Sequence, residues 1–155
     1  MWQPRITAAV VAAATVLALS GCAEALPPGT GTNRSLAVTA TTSLPSPVPP
    51  VGGYIDSRKA EGPTLTVAGW ADLSDTDAAT LTVVSRTPVT VVSAYRVVRP
   101  DVTVATNDRR LVWSGFSVTV RGSTTSPPAA ICLVSDDPVF GRRLVGGSDT
   151  RRCAS

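Results

Sequence analysis

The stretch "TLTVAGWADLSDTDAATLTVVSRTPVTVVSAYRV", residues 64 to 97, decides the fold class of this chain. Three runs in it, at 64–70, 80–85 and 89–97, mix Val, Leu and aromatics with Thr and Ser, and Asp, Ser, Ala and Pro fill the gaps between them. Period-two runs of β-branched and aromatic residues bounded by turn formers are the pattern of half-buried strands. The pattern continues on both sides, with "GYIDS" at 53–57, "VTVA" at 102–105, "LVWSGFSVTV" at 111–120, "AAICLVS" at 129–135 and a weaker "RRLVG" at 142–146. No stretch carries a 3.6-residue period. Seven or eight short strands in about 100 residues predict an all-β domain, an immunoglobulin-like β-sandwich with a small β-barrel as the alternative.

Phase matters inside the first run. With Leu65 and Val67 facing inward, Gly69 and Ala71 follow inward and Trp70 is left on the opposite face. A bulge at Gly69 would return Trp70 to the core, and glycine inside a strand often marks one. On that reading Trp70 is a packing residue whose truncation costs roughly 3–5 kcal/mol; the competing reading is an exposed Trp70 that stacks on a sugar. Trp113 is in phase with Leu111, but the "SGF" after it leaves its face unassigned.

Outward from this domain, the amino terminus opens with Arg5 and then Ile6 to Leu19, fourteen almost wholly apolar residues. That is a signal-peptide h-region, short of the roughly 20 apolar residues of a membrane-spanning helix. It ends in Leu19-Ser20-Gly21-Cys22, which resembles the bacterial lipobox. The resemblance implies that the Cys22 thiol receives a diacylglycerol, that residues 1–21 are removed, and that the mature chain stays at a membrane surface. Two or three acyl chains make such anchorage lasting, because each buried methylene adds about 0.8 kcal/mol. The thirteen arginines beside a single lysine resemble the usage of a GC-rich genome such as an actinobacterium's.

Residues 22–51, rich in Pro, Ser and Thr with Glu24 and Arg34 as the only charges, are expected to form a disordered tether of about 30 Å. "TATTS" at 39–43 has the composition of an O-glycosylated stalk. The β-domain is assigned to 52–155. An acylated Cys22 cannot form a disulfide, so of the three cysteines only Cys132 and Cys153 are left to pair, in an oxidising compartment that permits it.

Charge and composition narrow the function. The net charge is +3 from 14 basic and 11 acidic residues, and removing 1–21 with Arg5 leaves 13 against 11, or +2, too mild to argue for nucleic acid. No histidine is present, which takes away the commonest metal ligand and general base. Lys59 has no serine three residues before it, so the S-x-x-K arrangement is missing. A carboxylate pair for catalysis is available, for example Asp136 or Asp137 with Asp101, although adjacent loop Asp residues are ordinary turn formers. Asp72, Asp75 and Asp77 supply hard oxygens for Ca²⁺ but lack an EF-hand pattern, and read as a solvated loop. Arg109-Arg110, Arg142-Arg143 and Arg151-Arg152 are pairs whose members point to opposite faces if they lie on strands.

A family resemblance joins several of these segments. "GYIDS" at 53–57, "VAGWADL" at 67–73, "RPDV" at 99–102 and "GFSVTV" at 115–120, followed by "ICLVSDD", resemble an extracytoplasmic β-domain that recurs in bacterial envelope proteins. The likeness covers residues 53 to 137 and rests on Gly69 and Trp70 in one strand, Arg99 and Asp101 in a turn, and Phe116 in another strand. It implies an accessory or architectural module with no established reaction, so it assigns no catalytic residue; no metal and no cofactor are expected. The residues themselves read structurally: Pro100 pushes Arg99 toward an extended conformation, and Arg99 and Asp101 are spaced for a local ion pair, with a ligand-binding Arg99 as the competing role. The chain is thus expected to be a lipid-anchored lipoprotein on the outer face of the cell membrane, presenting a noncatalytic β-domain to an envelope protein or polysaccharide. The alternative is an envelope hydrolase working through acidic residues.

Overall fold

In a computed structural model, residues 33–147 are described; the signal peptide, Cys22 and Cys153 lie outside them. The alternation of "TLTVAGWA" becomes strand β4 (Thr64–Ala71), in which Leu65, Val67, Gly69 and Ala71 are buried and the residues between them are half-buried. Around it run β1 (Arg34–Ser35), β2 (Ala37–Thr41), β3 (Val51–Glu61), β5 (Thr80–Ser85), β6 (Val89–Val97), β7 (Gly115–Gly122), β8 (Ile131–Asp137) and β9 (Gly141–Gly146). They form one mixed sheet in the order β1-β6-β7-β4-β3-β9-β8-β5-β2.

That order curls the sheet on itself. Residues 34–41 run along both of its edges: β1 pairs antiparallel with β6, Arg34 opposite Arg96, and β2 pairs parallel with β5 from Ala37 opposite Thr80 to Thr41 opposite Val84. Leu36, between the two half-strands, is buried with the core. The result is a nearly closed barrel, so the all-β expectation holds and the barrel alternative describes the architecture better than a two-sheet sandwich. The interior is filled by aliphatic side chains such as Leu65, Val67, Leu73, Leu81, Val118, Leu133 and Val145, with Phe116 as the one aromatic among the buried side chains described. A second apolar cluster, Val84, Cys132, Val134 and Leu144, lies on the outer side of β5, β8 and β9, where Leu44 packs on it.

Four expectations change. The tether is not disordered from Arg34 onward: "SLAVTAT" alternates Leu36 and Val38 toward the core, and the Pro-rich 42–50 then returns across the outside, where the Leu144 amide donates to the Pro50 carbonyl at 2.8 Å. Average composition over thirty residues masked this short alternating run. "VTVA" is not a strand but part of helix α1 (Pro100–Thr106), in which Val102 is buried while Val104 is 81% exposed. Pro100 in the first turn and Asp101 beside it are helix-start residues, and the αL residue Asn107 ends the helix. The strand expected at 111–120 begins only at Gly115, after a single 3-10 turn at Arg109–Leu111.

Trp70 is the fourth. β4 and β7 pair without interruption from Thr64 opposite Arg121 to Trp70 opposite Gly115, so no bulge lies in β4. The irregularity is in the partner strand, between Ile55 and Ser57, with Asp56 as the extra residue. Gly69 faces it because the backbones close in there: a Cβ at Gly69 would come within 2.1 Å of the Tyr54 carbonyl oxygen. Trp70 therefore stays half-buried on the outer face, and its truncation is expected to cost less than the core value given above.

Leu36 has taken the packing role. Leu36→Ala is expected to lower the unfolding free energy by about 2–5 kcal/mol, measured by urea denaturation. A loss below about 0.5 kcal/mol, the scale of a surface substitution, would place residues 34–41 outside the cooperative unit.

Candidate functional site

The end of the barrel at which β4 and β6 finish and β5 begins gathers most of the charged side chains. Two arrangements there have defined geometry. The first is buried. Arg96 is on β6 in register with Phe116 and is only 2% exposed. Its guanidinium donates to four backbone carbonyls: Nε to Trp113 at 2.9 Å, Nη1 to Thr76 at 2.9 Å, and Nη2 to Leu73 at 3.1 Å and Ser74 at 2.6 Å. Burial pushes its pKa down from the ordinary arginine value, and the neighbouring Asp75 and Asp137 oppose that.

Ser74 links Arg96 to Asp137. Its amide and hydroxyl donate to Asp137 Oδ2 at 2.7 and 2.8 Å, while the amides of Val139 and Phe140 donate to Asp137 Oδ1 at 2.8 and 3.0 Å. Burial pushes the Asp137 pKa up, but these four hydrogen bonds outweigh it and hold the carboxyl below its ordinary range. The β4–β5 loop is thus gripped from β6 on one side and from the end of β8 on the other.

The second arrangement is on the outer surface. Arg99, at the start of α1, donates through Nε and Nη2 to the two oxygens of Asp101 at 2.9 and 2.7 Å, and through Nη1 to Asp56 Oδ2 at 2.5 Å. The expected Arg99–Asp101 ion pair is therefore present, and the bulge residue Asp56 joins it. The hydrogen bonds to Asp101 raise the Arg99 pKa above its ordinary value despite partial burial, with Asp56 adding to the effect. Asp101 is lowered in turn, mainly by the bond from Arg99. Gly115 makes room for this reach, since a Cβ there would meet Val97 Cγ2 at 2.5 Å and Arg99 Cγ at 2.7 Å. Phe116, next in the strand, points the other way and is fully buried.

The remaining expected residues separate. Asp75 pairs with Arg34, whose guanidinium also lies 4.5 Å over the Trp113 ring. Asp72 sits 3.6 Å from Arg143; burial raises its pKa, tempered by that arginine. The three carboxylates of the 72–77 loop hence do not share a centre, and among the described residues no three His, Cys, Asp or Glu gather as a metal site. Arg142 bonds Asp136 at 2.8 Å, and Arg110 bonds Asp108 at 2.6 Å while lying 5.0 Å over Phe140, so these arginines are engaged rather than forming an open basic patch. Asp136, Asp137 and Asp101 each have their own partners, as above. Cys132 is disulfide-bonded. Arg151 and Arg152 lie outside the described residues.

Sequence reasoning missed Arg96, Ser74 and Asp56. The register of β6 shifts between Val91 and Ser93, which moves Ala94 and Arg96 into the inward phase that Val89 and Val91 hold before it. An arginine between "SAY" and "VV" was the only trace of it. Compared with protein-family models, with curated proteins and with solved structures, the chain finds no match.

Asp137→Asn is expected to cost about 2–3 kcal/mol at neutral pH, as for hydrogen bonds to a charged group. A carboxyl whose pKa is lower folded than unfolded stabilises fully above the ordinary carboxylate range, and loses that contribution as the pH falls through its folded value. The difference between wild type and variant should therefore shrink on acidification from pH 7 to below 3 in chemical unfolding curves. A difference independent of pH would mean that Asp137 contributes through shape alone.

Proposed function

We propose that the chain is a lipid-anchored envelope lipoprotein that presents a noncatalytic β-barrel for binding or structural support. The observation that carries this reading is the lipobox-like Leu19-Ser20-Gly21-Cys22 placed just ahead of the barrel's closing strand. Only residues 23–33, eleven in all, separate Cys22 from Arg34. A fully extended chain of that length reaches at most about 40 Å, so the barrel stays close to the bilayer that holds the acyl chains.

The inside of the barrel supports a presenting role. It is packed with aliphatic side chains, and three surface depressions among the described residues, of about 190, 290 and 390 Å³, are lined by residues such as Ser85, Thr41 and Arg34. The carboxylates that a hydrolase would need are individually matched, Asp101 with Arg99, Asp136 with Arg142 and Asp137 with amides. A carboxyl held below its ordinary range, as Asp101 and Asp137 are, is a poor general acid at neutral pH.

Cys22→Ala tests the anchor. The wild-type protein should enter the detergent phase on cloud-point partition, and the variant should either appear in the aqueous phase and medium or remain an uncleaved precursor. A processed variant that still partitions into detergent would contradict the reading.

A further inference from the structure

The aromatic side chains are placed unusually for a small barrel. Of the six aromatic residues described, one, Phe116, is in the core, whereas Tyr54, Trp70 and Tyr95 lie outside it on the outer face of neighbouring strands. Cross-strand register fixes their arrangement. Tyr54 on β3 is directly opposite Trp70 on β4, and Trp70 is opposite Gly115 on β7. In the next row Ala68 on β4 is opposite Ser117 on β7, which is opposite Tyr95 on β6. Directly opposed residues share a face, so the three rings border one surface whose centre holds Ala68 and Ser117, with Val97 and the stem of Arg99 lying over Gly115. From β3 to β6 this surface spans three strand spacings, about 14 Å. Tyr54 is 54% exposed and Trp70 and Tyr95 are half-buried.

We infer that this face is a binding site for a neutral carbohydrate polymer, its pyranose rings stacking on Tyr54 and Trp70 and its hydroxyls hydrogen-bonding at the Arg99–Asp56 rim. This deepens the reading of the barrel as a binding module and does not depend on the lipid anchor. Two observations select the ligand class. The rim is self-neutralised: Arg99 is one cation between two carboxylates, Asp56 and Asp101, which leaves the trio at −1, and Lys59, two rows along the same face from Trp70, is paired with Glu61. A paired guanidinium and carboxylate present donors and acceptors side by side, as adjacent sugar hydroxyls require. Between the rings the face carries the small residues Ala68 and Ser117, with Thr66 Oγ1 and Thr119 Oγ1 2.9 Å apart one row further on.

Affinity electrophoresis of the detergent-solubilised full chain tests this, with laminarin, amylopectin or mannan cast in native gels and polygalacturonate as the anionic control. At least one neutral polymer should retard the protein, and Tyr54→Ala and Trp70→Ala should each weaken retardation about tenfold, the weight of one aromatic contact. Tyr54 is the more exposed ring, so its variant decides the matter if Trp70→Ala unfolds. Retardation by none of the neutral polymers, retardation by polygalacturonate alone, or retardation unchanged in the folded Tyr54→Ala variant overturns the inference. Detergent partition of the same samples is read separately, so loss of carbohydrate binding with partition intact counts against this site alone.

Discussion

A curled sheet has two edges whose unpaired amides and carbonyls must be satisfied or protected, and in this chain one stretch of eight residues meets both. Residues 34–41 pair antiparallel with β6 at their start and parallel with β5 at their end, and Leu36 fills the core between the two halves. Buried or exposed, open edges invite pairing with other chains. Closing them with a strand from the amino-terminal side makes the segment nearest the proposed anchor part of the folded unit. The core can then be mostly aliphatic, because the barrel encloses it from all sides.

Closure also explains the buried polar groups at one end of the barrel. The β4–β5 loop crosses that end and brings the carbonyls of Leu73, Ser74 and Thr76 against the buried Arg96 guanidinium, those of Leu73 and Ser74 in buried bonds. Such groups need partners. Arg96 supplies donors to three of them and to Trp113, and Asp137 accepts from Ser74, so a cation and an anion at opposite sides stabilise the same loop without touching each other. Arg34, stacked on Trp113 and bonded to Asp75, ties the closing strand to the same region. The motif residues Arg99 and Asp101 act outside this clamp, and with Asp56 they border the aromatic face.

How much of this was legible can be argued residue by residue. The strands at 80–85 and 89–97 are read within their observed limits, and the one at 64–70 ends a single residue short, because alternation and turn formers mark them. The Arg99–Asp101 pair follows from their spacing of two. Residues 34–41 were not legible: their Ser and Thr content resembles linker composition, and their pairing with two distant strands is a tertiary fact. Arg96 was hidden by the bulge that shifts the phase of β6, and Asp56 by the bulge in β3. Trp70 illustrates the same limit, since the glycine beside it signalled an irregularity correctly but on the wrong strand. Helix α1 lost to its Val and Thr content, although Pro100 and Asp101 carried a helix-start signal.

The central claim is that residues 34–41 belong to the barrel, and native-state hydrogen exchange of the full chain tests it most directly. Amides in this stretch that pair with β5 and β6 should exchange only through the global opening that releases β4 and β7, since edge closure and core closure are one event. Exchange of all amides of 34–41 at the rate of an unstructured peptide, with β4 and β7 still protected, would contradict the account.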